Sequence, residues 1–330
     1  MKKTLFGLSA IAVCLSAYIT SAQGSAASPY ESPAYIMALP HINRLPVKGV
    51  RAYLDDHLQQ LHNNDHVQGN TGIFGGYTHN GHHIFTLGSD YQLTDKLLLG
   101  AAYSHFRGER DLFSSALSYS ASAHTFVTYA LWNIYDNAWL SGDLHYSRVS
   151  FDSTTRRFEF FGNDSKETGS TSGQHWGLHV TVGWDIPITS AISTSPIIQY
   201  SWDKSHINGY REPNYSPTSV SFSDQNYKSQ VGTLGWRVDT HLGHFNPYAS
   251  VQIHHQFGDN HANLRITSDY LGQSFDVNSG KLDTDWRQYT LGVTAKFPSK
   301  KWQGFASISR NEGSAQEPDY NVNLGLSTTF

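Results

Sequence analysis

The chain is 330 residues long with a formal net charge of -4, and only 15% of its residues are charged. A nucleic-acid backbone would find no basic face here, so nucleic acid is excluded as a partner. Mean hydropathy is -0.43, and past the amino-terminal segment no apolar run approaches the ~20 residues of a membrane helix. That excludes helical spans, but not strands, which show lipid only alternate side chains.

Met1-Lys2-Lys3, an apolar stretch from Leu5 to Ile19 and then Thr20-Ser21-Ala22 follow the positive, apolar, small-residue order of a secretory leader. Residues 1–22 are therefore expected to be a signal peptide, with the Sec translocon as partner. The single cysteine, Cys14, lies inside it. Cleavage would leave no thiol and no disulfide, and a net charge of about -6 once Lys2 and Lys3 are gone. Residues 23–47 are rich in Ser, Ala, Pro and Tyr, with prolines at 29, 33, 40 and 46. They read as a linker with no core of its own, too short for an enzyme domain.

In residues 48–66, Val50, Tyr53, Leu54, Leu58 and Leu61 recur at helical spacing, while Arg51, Asp55, Asp56, Gln59, Gln60 and His62 fill the other faces. Asn63-Asn64 supplies an end. About 15 residues of helix reach ~22 Å, close to the ~25 Å apolar band of an outer-membrane barrel. Such a helix either packs on a sheet surface or plugs a barrel lumen. In the second case Arg51, Tyr53, Leu54, Asp55 and Leu58 are its lumen contacts.

From residue 67 to 330 the helical signal is gone. Twelve strands are expected, near 71–79, 82–93, 96–108, 117–135, 138–152, 172–187, 193–207, 226–242, 245–257, 283–297, 301–311 and 317–330. Alternation is clear in several. Trp176, Leu178, Val180, Val182, Trp184 and Ile186 oppose His175, Gly177, His179, Thr181, Gly183 and Asp185. Leu140, Gly142, Leu144 and Tyr146 oppose Ser141, Asp143, His145 and Ser147. Tyr289, Leu291, Val293, Ala295 and Phe297 form a third apolar face. The last residues repeat the pattern, with Tyr320, Val322, Leu324, Leu326 and Phe330 on one side. Ending on such a strand suits a closed barrel, which has no free edge.

Short turns alternate with long polar loops at 152–171, 208–225 and 258–282, the layout of outer-membrane barrels. Tyr103, Trp132, Tyr135, Trp139, Trp184, Phe245, Tyr248, Phe297 and Trp302 lie near strand ends, as interfacial girdles require. The fold expected is all-β: a twelve-stranded antiparallel transmembrane β-barrel with an amphipathic helix in its lumen. It belongs in the outer membrane of a Gram-negative bacterium, as a monomer surrounded by lipid.

The sequence offers little chemistry. His79, His82 and His83 flank a turn, and His254 and His255 are adjacent in a strand and so point to opposite faces; no metal site or cofactor is expected from either group. Ser141, Asp143 and His145 share a face, but residues two apart in a strand sit ~7 Å apart, too far for a Ser–His relay, so no catalytic residue is assigned. A rim-site hydrolase or acyltransferase would instead need His145 or Ser141. Arg237, Asp239, Asp185, Asp143 and Lys296 are read as lumen charges, with Asp55 and Asp56 pairing with Arg51 or Arg237.

Phe85-Thr86-Leu87-Gly88-Ser89-Asp90-Tyr91-Gln92-Leu93-Thr94-Asp95-Lys96-Leu97-Leu98-Leu99-Gly100-Ala101-Ala102-Tyr103-Ser104 resembles the barrel opening of monomeric autotransporters. Pro247 to Phe257 and Phe330 are similar to later blocks of that domain, and Thr155-Arg156-Arg157 to the esterase-type members. The resemblance covers about residues 48–330. It implies a twelve-stranded translocator with a helix through its lumen, folded by the outer-membrane barrel assembly machinery, that anchors or exports an amino-terminal segment. Esterase-type members carry a hydrolase passenger with a Gly-Asp-Ser block. Residues 23–47 contain no such block, so the expectation is a translocator with a short or vestigial passenger and no enzymatic activity. A small pore-forming or structural outer-membrane barrel is the alternative.

Overall fold

The computed structural model describes residues 36–62, 67–112, 115–135, 137–213, 216–257, 263–278, 284–297, 301–314 and 318–330; the leader and the start of the linker lie outside them. Two helices come first, α1 (Leu39–Ile42) and α2 (Leu45–His62). The strands then follow as β1 (Thr71–His79), β2 (His83–Gln92), β3 (Leu97–Leu112), β4 (Leu117–Tyr135), β5 (Ala138–Phe160), β6 (Asn163–Trp184), β7 (Ile186–Thr189) and β8 (Ile192–Ile207). After them come β9 (Tyr210–Arg211), β10 (Val220–Phe222), β11 (Gln225–Thr240), β12 (Phe245–Phe257), β13 (Asn263–Ser268), β14 (Ser274–Asn278), β15 (Asp285–Lys296), β16 (Trp302–Glu312) and β17 (Tyr320–Thr329).

Neighbouring barrel strands pair antiparallel, and β8 pairs with β11 across the long connection between them. The ring closes where β17 pairs with β1, from Gly72 opposite Thr329 to His79 opposite Val322. With β7 continuing β6, the wall is the twelve-stranded antiparallel barrel expected from the alternation. Closure leaves every ladder hydrogen bond internal, which a lipid environment demands.

Alternation decides what faces where. Leu144, Trp176, Val182, Leu234, Leu291 and Leu324 are exposed on the outer surface, while Ser141, Asp143, His145, His175 and His179 are buried inside. The polar face is therefore the lumen. Trp139 and Tyr248, expected in the girdles, are only 5% exposed and face inward. Their phase explains this: Trp139 is in phase with the inward Ser141 and Asp143, and Tyr248 lies opposite Gly292.

Inward aromatic rings lie across glycines of the next strand. A Cβ added to Gly100 would overlap the Tyr129 ring, one at Gly183 the Trp139 ring, and one at Gly292 the Tyr248 ring. Gly100→Val is expected to destabilise the barrel by about 1–3 kcal/mol by overpacking. Gly142→Val, whose new Cβ would meet only ordinary contacts, should be near neutral. The temperature at which the folded band is lost on an unheated-versus-heated gel checks both.

The strands outgrow the membrane at one end. The expected loop at 152–171 is instead a hairpin continuation of β5 and β6, kinked by a register shift between Phe151 and Thr154. The other two long connections contribute β9, β10, β13 and β14, which join in a separate four-stranded sheet. This sheet caps the end of the barrel away from Thr71 and Phe330. In outer-membrane barrels the end with the short turns and both strand termini is periplasmic, so the cap is extracellular.

Candidate functional site: the lumen helix and the extracellular cap

α2 begins at Leu45, five residues before the first apolar position used to predict it. Pro46 suits the first turn because its missing N–H has no helical partner there. Gly49 lets the helix press against β2, where a Cβ would collide with the Ile84 side chain. Val50, Tyr53, Leu54 and Leu58 pack on Phe74, Leu98, Val127, Tyr129, Leu131 and Phe305. One side of the barrel thus holds the apolar stripe.

Polar bonds fix the rest of the helix. Near its extracellular end, Arg44 donates to Ser229 (3.1 Å), and Arg51 donates twice to Asp203 (2.8 and 3.1 Å). In the middle, Asp56 accepts from Tyr248 (2.6 Å), Ser307 (2.5 Å) and Asn323 (2.9 Å). His57 meets Asp90 at 3.0 Å and Asp90 also accepts from Tyr129. At the periplasmic end His62 contacts Asn133 (2.9 Å) and Asp185.

The predicted charge pairings are rearranged. Arg237 bonds Asp239 two residues along its own strand (2.8 Å) and lies 3.8 Å from the Tyr248 ring centroid. It does not take Asp56, whose oxygens are filled by Tyr248, Ser307 and Asn323. Asp55 comes within 4.0 Å of His179. Asp185 lies at the periplasmic mouth, bonded by Ser195 at 2.6 Å, and Lys296 lines a small gap beside Gln60 and Asp239. Of the predicted helix contacts, Tyr53, Leu54 and Leu58 are buried, and Arg51 is partly so.

His145 reaches Asp143 despite the two-residue spacing, with Nδ1 2.9 Å from the carboxylate. The 7 Å Cα spacing is bridged because the imidazole leans along the strand. Its other nitrogen faces Asp203 at 3.1 Å and the Arg51 guanidinium lies at 3.3 Å. Ser141 is not among its partners, so the geometry holds no nucleophile against this histidine. His145, His175 and Asp203 bring their ligand atoms within 4.8 Å of one another, a cluster the sequence spacing did not reveal. Arg51 already supplies the positive charge between these groups, which argues against a metal ion there while the helix is in place. His79 and His83 turn outward, whereas His82 is buried against Tyr119 (2.6 Å). His254 points inward to Thr233 and His255 outward to Asp285, both at 2.7 Å.

The helix does not fill the lumen. Between it and β8, β11, β12 and β15 lie two polar cavities of about 130 Å³ and about 60 Å³ that share Ala52, Asp55, Gln199, Gln252 and Gln288. Each is large enough for ordered water.

Above the helix the linker is not featureless. Ile36, Met37, Leu39 and Ile42 are buried in an apolar cluster with Leu117, Phe151, Ile207, Val220, Phe222, Leu264 and Ile266. The cap is locked from within. Arg156 is fully buried and donates through Nε and Nη2 to the two Glu212 oxygens, at 2.7 Å each. Glu212 also accepts from the Val220 N–H (3.0 Å). Nearer the surface, Arg211 holds Asp269 at 2.9 Å. Burial works to raise the Asp269 carboxyl, but the bonds from Arg211 and Ser221 outweigh it and keep it below the usual carboxylate range.

The family model described as "Autotransporter beta-domain" matches residues 59–309. Lipase 1 of Photorhabdus luminescens is 47% identical over 303 residues, 92% of this chain and 47% of that protein. Esterase EstA of Pseudomonas aeruginosa is 26% identical over 266 residues, 76% of this chain and 39% of that protein. The chain therefore spans about half the length, or less, of these curated relatives. Among solved structures, the translocator domain of the autotransporter NalP from Neisseria meningitidis superposes with a TM-score of 0.63 at 15% identity, covering 85% of this chain and 95% of that one. This last likeness is one of fold.

Proposed function

Starting from a chain that belongs to the autotransporter β-domain family, we propose that this barrel holds its own amino-terminal segment across the outer membrane and presents what precedes Ile36 at the cell surface. The chain is a translocator barrel domain of a Gram-negative outer membrane, and the matched region is not a catalytic one. The observation that carries the proposal is the course of α2. Its last residue bonds Asp185 at the periplasmic mouth, while the residues before its first turn are gripped beneath the extracellular cap. A chain held this way enters from the periplasm and points outward.

The hydrolase names belong to the relatives, and what they add beyond the shared barrel is the segment such a barrel would display. No hydrolysis is assigned to the barrel itself. The outward face of β17, with Tyr320, Leu324, Leu326 and Phe330 exposed, supports its reading as the signal for the barrel assembly machinery; the Sec translocon precedes it through the leader. An epitope inserted between Glu31 and Ser32 is expected to bind antibody on intact cells. Labelling only after the outer membrane is permeabilised would reject the proposal.

A further inference from the structure

We propose that the outer wall between β3 and β11 carries a binding site for the phosphate groups of outer-leaflet lipid, centred on Lys204 and Lys228. Register places these side chains. Tyr103, Phe126, Tyr146 and Trp176 lie opposite one another on successive strands, all exposed, and form the extracellular aromatic girdle of this wall. The same row continues from Trp176 to Lys204 and from Lys204 to Lys228. One step further out, the row runs His105, His124, Arg148, Gln174, His206, Asn226. Neither row contains a carboxylate.

Two lysines directly opposite on neighbouring strands repel, since their Cβ atoms stand roughly 4.5–5.5 Å apart. Among the described residues, Lys204, Lys228 and Arg148 make no ion pair that would relieve this. The opposite wall is built differently: His255 pairs with Asp285 at 2.7 Å and Arg310 with Glu312 at 3.1 Å. Among the described residues, the paired cations Lys204 and Lys228 stand side by side with no acidic partner in either of these two rows. Their level decides the occupant. Aromatic residues mark the headgroup boundary, and lysines beside them extend their ammonium groups along the apolar surface into that layer. Phosphate carried by a membrane lipid is the anion held at that depth, and Trp176 next to Lys204 offers a surface for the lipid's own apolar part.

The experiment uses the whole chain folded in neutral detergent. Its heat-unfolding midpoint is measured with mixed micelles of a bis-phosphorylated glycolipid, of the same glycolipid without phosphates, and with inorganic phosphate at matched concentration. The phosphorylated lipid is expected to raise the midpoint by roughly 5 °C and the other two to leave it unchanged. In Lys204→Gln/Lys228→Gln the rise should fall by more than half. Without lipid this variant should unfold at the same temperature as the parent or slightly higher, because the repulsion is gone. The order of the two proteins therefore inverts when phosphorylated lipid is added. Equal response to the dephosphorylated lipid, equal response to inorganic phosphate (a free anion site only), or an undiminished response in the variant would each overturn the proposal. The first two comparisons need only the parent protein, so a variant that folds poorly does not rescue it.

Discussion

Asp56→Leu is expected to release the lumen helix and turn a nearly silent barrel into a conducting one. The carboxylate accepts from Tyr248, Ser307 and Asn323 on three different strands. Leucine would leave those donors without their acceptor. Water from the adjoining cavities would answer some of them, so the cost is placed at about 2–4 kcal/mol. The consequence reaches function because this contact sits midway along α2, on the wall of the cavity of about 60 Å³, which shares Ala52 and Asp55 with the one of about 130 Å³. A helix freed there would let them join into a path. In planar bilayers the parent should show rare openings and Asp56→Leu frequent ones. Asp55→Leu is the control: Asp55 borders both cavities, and its nearest histidine nitrogen is 4.0 Å away. Equal conductance in all three proteins would mean that α2 is not held as a plug.

The second large effect belongs to the cap. Arg156→Met would strand the buried Glu212 beside a second buried carboxylate, Glu167, and breaking one side of a buried ion pair costs about 3–5 kcal/mol. The cap should open around residues 208–224, exposing the cluster that grips Leu39 and Ile42. An external protease added to intact cells should then cut within 208–224 many times faster than in the parent. Replacing both partners, Arg156→Met with Glu212→Leu, removes the stranded Glu212 charge, and with Glu167 still bonded by Ser216 and Thr218 it should restore part of the resistance. If the double variant is cut as fast as the single one, the pair is not what closes the cap.

Much of this was legible in the residues. A side-chain period of two, from Trp176 through Ile186 and from Tyr320 through Phe330, is a local property of a strand, and so are the short turns at 94–95 and 243–244. The amphipathic pattern from Val50 to Leu61 likewise marked α2, although its true start at Leu45 rests on Pro46 fitting a first turn. The girdle assignments of Trp139 and Tyr248 failed for the opposite reason. An aromatic near a strand end can belong to either face, and the inward choice depends on glycines of neighbouring strands that make room for the ring.

By itself, then, the sequence determined the class of fold, the strand count, the membrane and the existence of a helix to place inside. Each follows from periodicity within segments and from the order of short turns and long loops along the chain. Only the tertiary structure decided how that helix is held and what closes above it. Asp56 meets Ser307 and Asn323 across more than two hundred and fifty residues, and Arg156 meets Glu212 across two stretches that read as loop. Such pairs are set by register around a closed ring, and no local pattern in the chain encodes which residues the ring will bring face to face.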